Sequence, residues 1–108
     1  MPAFLLLSLA ILSEVGATLA LRVSDGFSKP LPAAIVVVGY GISFWFLALA
    51  LKDIPVSLTY AIWSGVGTAL VAVAGVVAFG ETMNPMKLAS LMVIVLGVAG
   101  LSAAGGAH

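Results

Sequence analysis

Four long apolar runs make up most of the chain, and short polar stretches separate them. These stretches carry turn-forming Gly and Pro beside charged residues, as in Asp25-Gly26 and in Lys52-Asp53-Ile54-Pro55. About 20 apolar residues are needed for a helix to cross the hydrocarbon core of a bilayer. Because backbone amides find no water partner in lipid, each run must be helical. The pattern predicts transmembrane helices over residues of about 3–21, 31–51, 56–79 and 86–104.

The connections between these runs are too short to hold an extramembrane domain. Neighbouring helices are therefore predicted to be antiparallel, and residues 1–108 are predicted to form a single all-α integral membrane domain. Composition supports this fold class, since 63% of the residues are hydrophobic and 7% are charged, against about 25% charged in soluble domains. A soluble domain of this size could not bury so much apolar surface.

Charge and cysteine content exclude several classes of function. The formal net charge is zero, so no basic patch indicates nucleic-acid binding. There is no cysteine, and the single histidine is His108, so neither a metal site nor a cofactor is expected. Lys and Arg number three on one predicted side of the membrane and one on the other. This weak bias leaves insertion in both orientations open.

One carboxylate, Glu14, interrupts the first apolar run. If the helix begins near residue 3, Glu14 lies about 16 Å along it, close to the middle of a bilayer core. An ionisable group at that depth is costly and is a functional hypothesis by default. The carboxyl group is either protonated or paired with a cation from outside the protein, and a group that alternates between these states exchanges protons for cations. The structural alternative is a protonated carboxyl that bonds a neighbouring helix.

The residues one helical turn from Glu14 are Ala10, Ala17 and Thr18. Their small side chains leave room beside the carboxylate for a bound cation, and they are secondary candidates for the site. Small residues also permit close packing between membrane helices, so both interpretations stand.

Two aromatic pairs are candidates for a cation site. Tyr40 and Phe44 share one face of the second helix, and Tyr60 and Trp63 share one face of the third. Aromatic rings attract cations, although such pairs also occur in ordinary packing. The two tyrosine hydroxyls need a partner at membrane depth, and Glu14 is the natural acceptor.

Small residues predict a hinge and a dimer contact. Glycines within the third helix permit bending or close packing, and a stripe of three small residues spaced seven apart on the fourth helix permits a partner helix to approach closely. Ser43 and Ser64 are further candidates as hydrogen-bond donors near the site. The hinge candidates are Gly65 and Gly67, and the stripe consists of Ser90, Gly97 and Ala104.

The chain closely resembles the small multidrug resistance family of proton-coupled exporters over essentially its whole length. The resemblance is carried by SEVGATLAL in the first helix, SDGFSKPLP in the first loop, GYGISFWFLALAL in the second helix and IPVSLTYAIWSGVGTALV in the third. The family's binding positions are matched by Glu14, Tyr40, Phe44, Tyr60 and Trp63.

This resemblance implies a non-enzymatic antiporter that exports lipophilic or quaternary ammonium cations by alternating access. It also implies a multi-pass protein of the bacterial inner membrane, and an antiparallel dual-topology homodimer in which two Glu14 carboxylates share one site. A heterodimeric pair within the family stays open.

Two other functions remain as alternatives. A second branch of the family exports guanidinium ions, but it typically has Trp where this chain has Gly16. A small assembly subunit or passive pore belongs to a different class and would release no protons when a cation binds.

Overall fold

The computed structural model of the chain describes residues 2–106, so Met1, Ala107 and His108 lie outside the described residues. Over this range the chain is helical, with no strand, as the sequence predicts. The four helices are α1 (Ala3–Val23), α2 (Pro30–Ala50), α3 (Val56–Phe79) and α4 (Pro85–Leu101). Each belongs to a helical segment long and apolar enough to cross a membrane, and the fourth of these segments runs from Pro85 to Ala104.

Both ends of α3 and the start of α1 lie where they were predicted, and the other helix ends differ from the predicted ends by one to three residues. α1 continues through Arg22, since an apolar run marks the lipid-crossing part, whereas a helix can extend into the headgroup layer. α2 and α4 begin at Pro30 and Pro85, because proline has no N–H group to lose in the first turn. After α4 the backbone forms a π-helical turn over Ser102–Gly106.

The chain divides into two compact units, Met1–Asp53 and Ile54–His108, each of which contains two consecutive helices. The single domain over residues 1–108 stays a prediction.

In the first unit α1 and α2 pack as an antiparallel hairpin through small residues. The Ser43 hydroxyl donates to the Ala10 carbonyl over 2.8 Å, and both residues are fully buried. Farther along α1 and back along α2, Gly39 lies against Ala17 so closely that a Cβ atom on Gly39 would stand 2.8 Å from the Ala17 Cβ. The two backbones can approach this closely only because neither residue has a long side chain.

The turn between α1 and α2 is held by buried Ser24. Its hydroxyl donates to the Leu21 carbonyl over 2.7 Å and accepts the Phe27 backbone N–H at 3.1 Å. The backbone takes positive φ at Asp25 (50°), Gly26 (69°) and Phe27 (67°). This local network reverses the chain within a few residues, so α2 returns directly along α1.

In the second unit α3 and α4 are joined by a capped turn. α3 ends at Gly80, which adopts the left-handed conformation with φ 67°, a common helix ending. The Asn84 side chain accepts the backbone N–H of Lys87 at 2.9 Å and so caps α4. The two helices touch at Gly65, where an added Cβ would lie 2.5 Å from a methyl group of Val98.

The four helices differ in how much of their surface the chain itself covers. In an apolar 18-residue stretch of each helix, 33% of the α1 stretch is buried within the chain, whereas 0% of the α4 stretch is. An apolar helix without cover from its own chain meets either lipid or another protein.

The α1–α2 contact generates a prediction about glycine. Gly39→Ala should destabilise the protein by about 1–3 kcal/mol, the usual cost of overpacking, because its Cβ would collide with Ala17. Gly41→Ala is the matched control: nothing lies within 4 Å of an added Cβ there, and alanine favours the helix by up to about 1 kcal/mol. Thermal unfolding in detergent, followed by circular dichroism, should separate the two variants. Equal melting temperatures would contradict the close contact.

Candidate functional site

Glu14 lies near the middle of α1, with its side chain half-buried. Eleven residues separate it from Ala3, which corresponds to about 16 Å of helix. Among the described residues of Met1–Asp53, no Lys or Arg forms an ion pair with it. A negative charge at this position has to be stabilised by dipoles or by a cation that the unit does not supply.

The nearest dipole is the Thr18 hydroxyl, which donates to Oε1 of Glu14 over 2.9 Å. Thr18 is one helical turn beyond Glu14, so the two side chains lie on the same face of α1. This bond assigns to Thr18 a polar role that its small size alone did not indicate. A threonine four residues after a buried carboxylate is the sequence signal for it.

Tyr40 of α2 joins the same network through Thr18. Its hydroxyl lies 2.7 Å from the Thr18 hydroxyl, so the expected hydrogen bond from Tyr40 to Glu14 is replaced by a two-step connection. The reason is geometric: Gly39 holds α2 close to Ala17, which brings the neighbouring Tyr40 beside Thr18, the next residue of α1.

Tyr40 also contacts Phe44, and the two rings stack with centroids 6.2 Å apart and planes at 21°. Phe44 is mostly exposed, at 58%, so the pair presents an aromatic face on the outside of the hairpin. Trp45 is exposed as well, at 68%, but it is not part of this pair, because adjacent residues of a helix point about 100° apart.

Ala10, Ala17 and Ser43 lie in the contact between α1 and α2. Ala10 and Ala17 are buried, and Ser43 donates to the backbone of Ala10 rather than to the Glu14 side chain. In a regular helix the Ala10 carbonyl also accepts the backbone N–H of Glu14. Ser43 therefore braces the helical turn that carries the carboxylate.

α3 carries the remaining predicted site residues. Tyr60 is 70% exposed, and its hydroxyl has no hydrogen-bond partner among the described residues of Ile54–His108. Trp63 and Ser64 are partly buried. Gly65 is in tight contact with Val98 and α3 stays helical through Gly67, so close packing explains Gly65 while the hinge stays a prediction.

The stripe on the fourth helix is exposed at all three positions. Nothing lies within 4 Å of a Cβ added at Gly97, and the Ser90 hydroxyl donates to the Met86 carbonyl of its own helix over 2.8 Å. Ala104 lies in the π-helical turn beyond α4. Packing within the α3–α4 hairpin therefore does not account for the stripe.

A cleft of about 370 Å³ lies between the ends of α3 and α4, and its charged lining residues are Glu81 and Lys87. The Glu81 carboxylate folds back against Gly75, and the Lys87 ammonium donates to the Thr82 carbonyl over 2.7 Å. These local contacts stabilise the turn. Among residues 2–106 no three His, Cys, Asp or Glu side chains cluster as metal ligands would.

Comparison with known proteins identifies a family whose members match most of the chain. The model of the family described as Small Multidrug Resistance protein matches residues 2–94. The chain is 45% identical over 95 residues to the Multidrug resistance protein EbrA of Bacillus licheniformis, with 88% of this chain and 90% of that protein covered.

Two further relatives carry names that specify a compound class. The Quaternary ammonium compound-resistance protein QacE of Escherichia coli is 43% identical over 98 residues, which cover 91% of this chain and 89% of the relative. The Quaternary ammonium compound-resistance protein QacF of Klebsiella aerogenes is 42% identical over 99 residues, which cover 92% of this chain and 90% of the relative.

Proposed function

Because the chain belongs to the small multidrug resistance family, and is therefore a multi-pass efflux transporter of the bacterial plasma membrane rather than an enzyme, we propose that it exchanges protons for lipophilic and quaternary ammonium cations at Glu14. The observation that carries the proposal is the half-buried Glu14 carboxylate, which a hydroxyl stabilises and which has no Lys or Arg partner among the described residues of its unit.

Proton and cation compete for this carboxylate. Removal from water disfavours a lone negative charge, so the group is either neutral with a proton or charged beside a cation. Each partner excludes the other, and release of one permits binding of the other. If the site opens to one side of the membrane at a time, the proton gradient drives export of the cation.

Several features support a bulky cation as the substrate. The stacked pair of Tyr40 and Phe44 offers an aromatic face beside the carboxylate network, and aromatic faces attract quaternary ammonium ions. Gly16 follows Glu14 by two positions, and nothing lies within 4 Å of a Cβ added there. The guanidinium-exporting branch typically has Trp at this position, so the residue type Gly16 favours the multidrug branch. The names of two relatives refer to quaternary ammonium compounds.

We further propose that two copies assemble as an antiparallel dual-topology homodimer through α4. None of the apolar 18-residue stretch of this helix is buried within the chain, and nothing lies within 4 Å of a Cβ added at Gly97 in the stripe. A bulky cation needs walls on several sides, and a second copy supplies a second carboxylate and a second set of aromatic rings. A heterologous partner chain is the alternative assembly.

Measurement of proton release separates these functions. Purified protein should release protons on addition of tetraphenylphosphonium and much less on addition of guanidinium. Preferential release with guanidinium would favour the guanidinium-exporting branch, and no release with either cation would favour a passive pore or an assembly subunit.

The first prediction for this function concerns the carboxylate. Glu14→Gln should abolish both cation binding and proton exchange, because it removes the only charge in the middle of the four helices. Glu14→Asp keeps a carboxylate and should keep binding. In the wild type the affinity for tetraphenylphosphonium should rise with pH, by up to about tenfold per pH unit where one proton competes. Constant affinity between about pH 5 and pH 9 would contradict the exchange.

A second prediction compares two tryptophans. Trp63→Ala should weaken binding of aromatic cations by roughly 1–2 kcal/mol, the scale of a desolvated cation–π contact. Trp45→Ala removes a ring that is 68% exposed on α2 and should have much less effect. Isothermal titration calorimetry measures both affinities, and the reverse order would show that the aromatic residues were assigned to the wrong faces.

A third prediction concerns assembly. Gly97→Leu should block close approach of a second α4 and reduce dimer formation and transport together. Ala99→Leu is the matched control, since it is exposed and lies on the opposite side of the helix. Crosslinking in membranes measures the dimer. An undiminished dimer in Gly97→Leu would exclude the stripe as the contact.

Orientation is tested by labelling single cysteines, placed in the first loop and near the C-terminus, from each side of the membrane. A homodimer of both orientations should label from both sides. One-sided labelling of a chain that is active when expressed alone would rule out dual topology.

A further inference from the structure

The hydrogen-bonded chain of Tyr40, Thr18 and Glu14 has one direction when the Glu14 carboxylate is charged, because a charged carboxylate can only accept. A threonine hydroxyl has a single hydrogen atom, and beside a charged carboxylate it is donated to Oε1 of Glu14, 2.9 Å away. The hydrogen atom in the 2.7 Å contact between Thr18 and Tyr40 must then come from the tyrosine. Tyr40 donates to Thr18, and Thr18 donates to the carboxylate.

From this arrangement we propose that Thr18 is a positioning residue that links the charge state of Glu14 to the position of the Tyr40 ring. The proposal rests on the proton exchange proposed above, and it names the group that passes the state of the carboxylate to the aromatic wall.

The link follows from what each charge state offers to Thr18. A carboxylate is a strong acceptor, so the charged state holds the Thr18 hydrogen and fixes the order of donors. A protonated carboxyl is a weaker acceptor and brings a donor of its own. The Thr18 hydroxyl can then turn to the backbone carbonyl one turn earlier, as threonine in helices often does. The carboxyl O–H can then donate to the Thr18 oxygen, where it competes with the Tyr40 hydroxyl, so Tyr40 no longer has a fixed partner.

The consequence for the site concerns Phe44, which stacks on Tyr40 with ring centroids 6.2 Å apart. While Glu14 is charged, the hydrogen bond to Thr18 fixes the position of the Tyr40 ring, and with it one of the two rings of the stacked pair. The aromatic face is thus in place in the state that binds a cation, and it is released in the state that carries a proton.

The charged groups around this network are few. Within Met1–Asp53, α2 is the helix packed on α1, and Tyr40 is the only titratable residue in its range, Pro30–Ala50. The nearest charged residue on α1 itself is Arg22, eight residues or about 12 Å from Glu14. In this unit Thr18 is the group that connects Glu14 to α2 by side-chain hydrogen bonds.

The first test removes the hydroxyl and keeps the shape. Thr18→Val preserves the β-branched side chain, and Thr18→Ser restores the hydroxyl. Loss of a donor to the carboxylate should displace the pH profile of tetraphenylphosphonium binding to higher pH by about one pH unit, a tenfold change in affinity at acid pH. Thr18→Ser should return the profile to that of the wild type. Ser8→Ala, which removes a hydroxyl bonded only to the Phe4 carbonyl of the same helix, should leave it unchanged.

The second test observes Tyr40 directly. The chain has two tyrosines, so protein labelled with ¹³C at the tyrosine ring carbon that bears the hydroxyl gives signals from Tyr40 and Tyr60 alone, and Tyr60→Phe assigns them. The Tyr40 signal should follow the pH profile of binding in the wild type and should stop following it in Thr18→Val.

A third measurement covers the case in which the valine variant does not fold. Tyr40→Phe alone should displace the profile in the same direction, by less than the shift expected for loss of the Thr18 hydroxyl, and an unchanged profile would overturn the link. When both variants fold, Tyr40→Phe should add nothing in the Thr18→Val background, because the connection is already broken.

The outcomes separate this proposal from the proposed function. An unchanged pH profile in Thr18→Val, additive effects of the two substitutions, or a Tyr40 signal that still follows pH without the Thr18 hydroxyl would overturn the link. Loss of binding in Glu14→Gln would in that case still support proton exchange. A wild-type affinity that does not depend on pH would instead overturn the proposed function, and this proposal with it.

Discussion

The arrangement of the polar and small residues in this structure depends on a carboxylate in the middle of a membrane helix. Water is absent at that depth, so Glu14 needs a proton, a cation or protein dipoles. The α1–α2 hairpin supplies the dipoles through Thr18, and through Tyr40 behind it. The Tyr40 hydroxyl comes within hydrogen-bonding distance of Thr18 only because Gly39 and Ala17 let the two backbones approach closely. The contact between two small residues therefore serves the chemistry of a charged residue.

The hydroxyl network leaves the negative charge of Glu14 unpaired within its unit. Oε1 receives a hydrogen bond, which moderates the cost of burial, but no Lys or Arg among the described residues of Met1–Asp53 neutralises it. A permanent ion pair would stabilise the carboxylate and would also prevent a mobile cation from binding. A hydroxyl donor stabilises the charge and leaves room for exchange, as the proposed function requires.

Small residues have three different surroundings in this chain. Gly39 and Gly65 are in contact with a neighbouring helix of the same unit, Gly80 ends a helix with positive φ, and Gly97 faces open space. The first two allow close packing within each hairpin. The exposed position of Gly97, on a helix whose apolar 18-residue stretch is not buried at all, is where a surface for another chain is expected. A chain of this length cannot enclose a bulky cation by itself, so the uncovered helix and the substrate class fit together.

The sequence by itself determined the membrane location, the number of helices and the residue on which the proposed chemistry depends. These follow from apolar length and from the cost of a lone charge in lipid, which are properties of the chain and its solvent. Only the tertiary structure decided what the small and polar residues do. It placed Ala10 and Ala17 in packing, gave Ser43 a backbone acceptor, and inserted Thr18 between Tyr40 and Glu14. Residue spacing assigns a side chain to a helix face, but a hydrogen bond between helices depends on their separation and register. Those quantities are determined by the close contact of residues far apart in sequence, here Ala17 and Gly39.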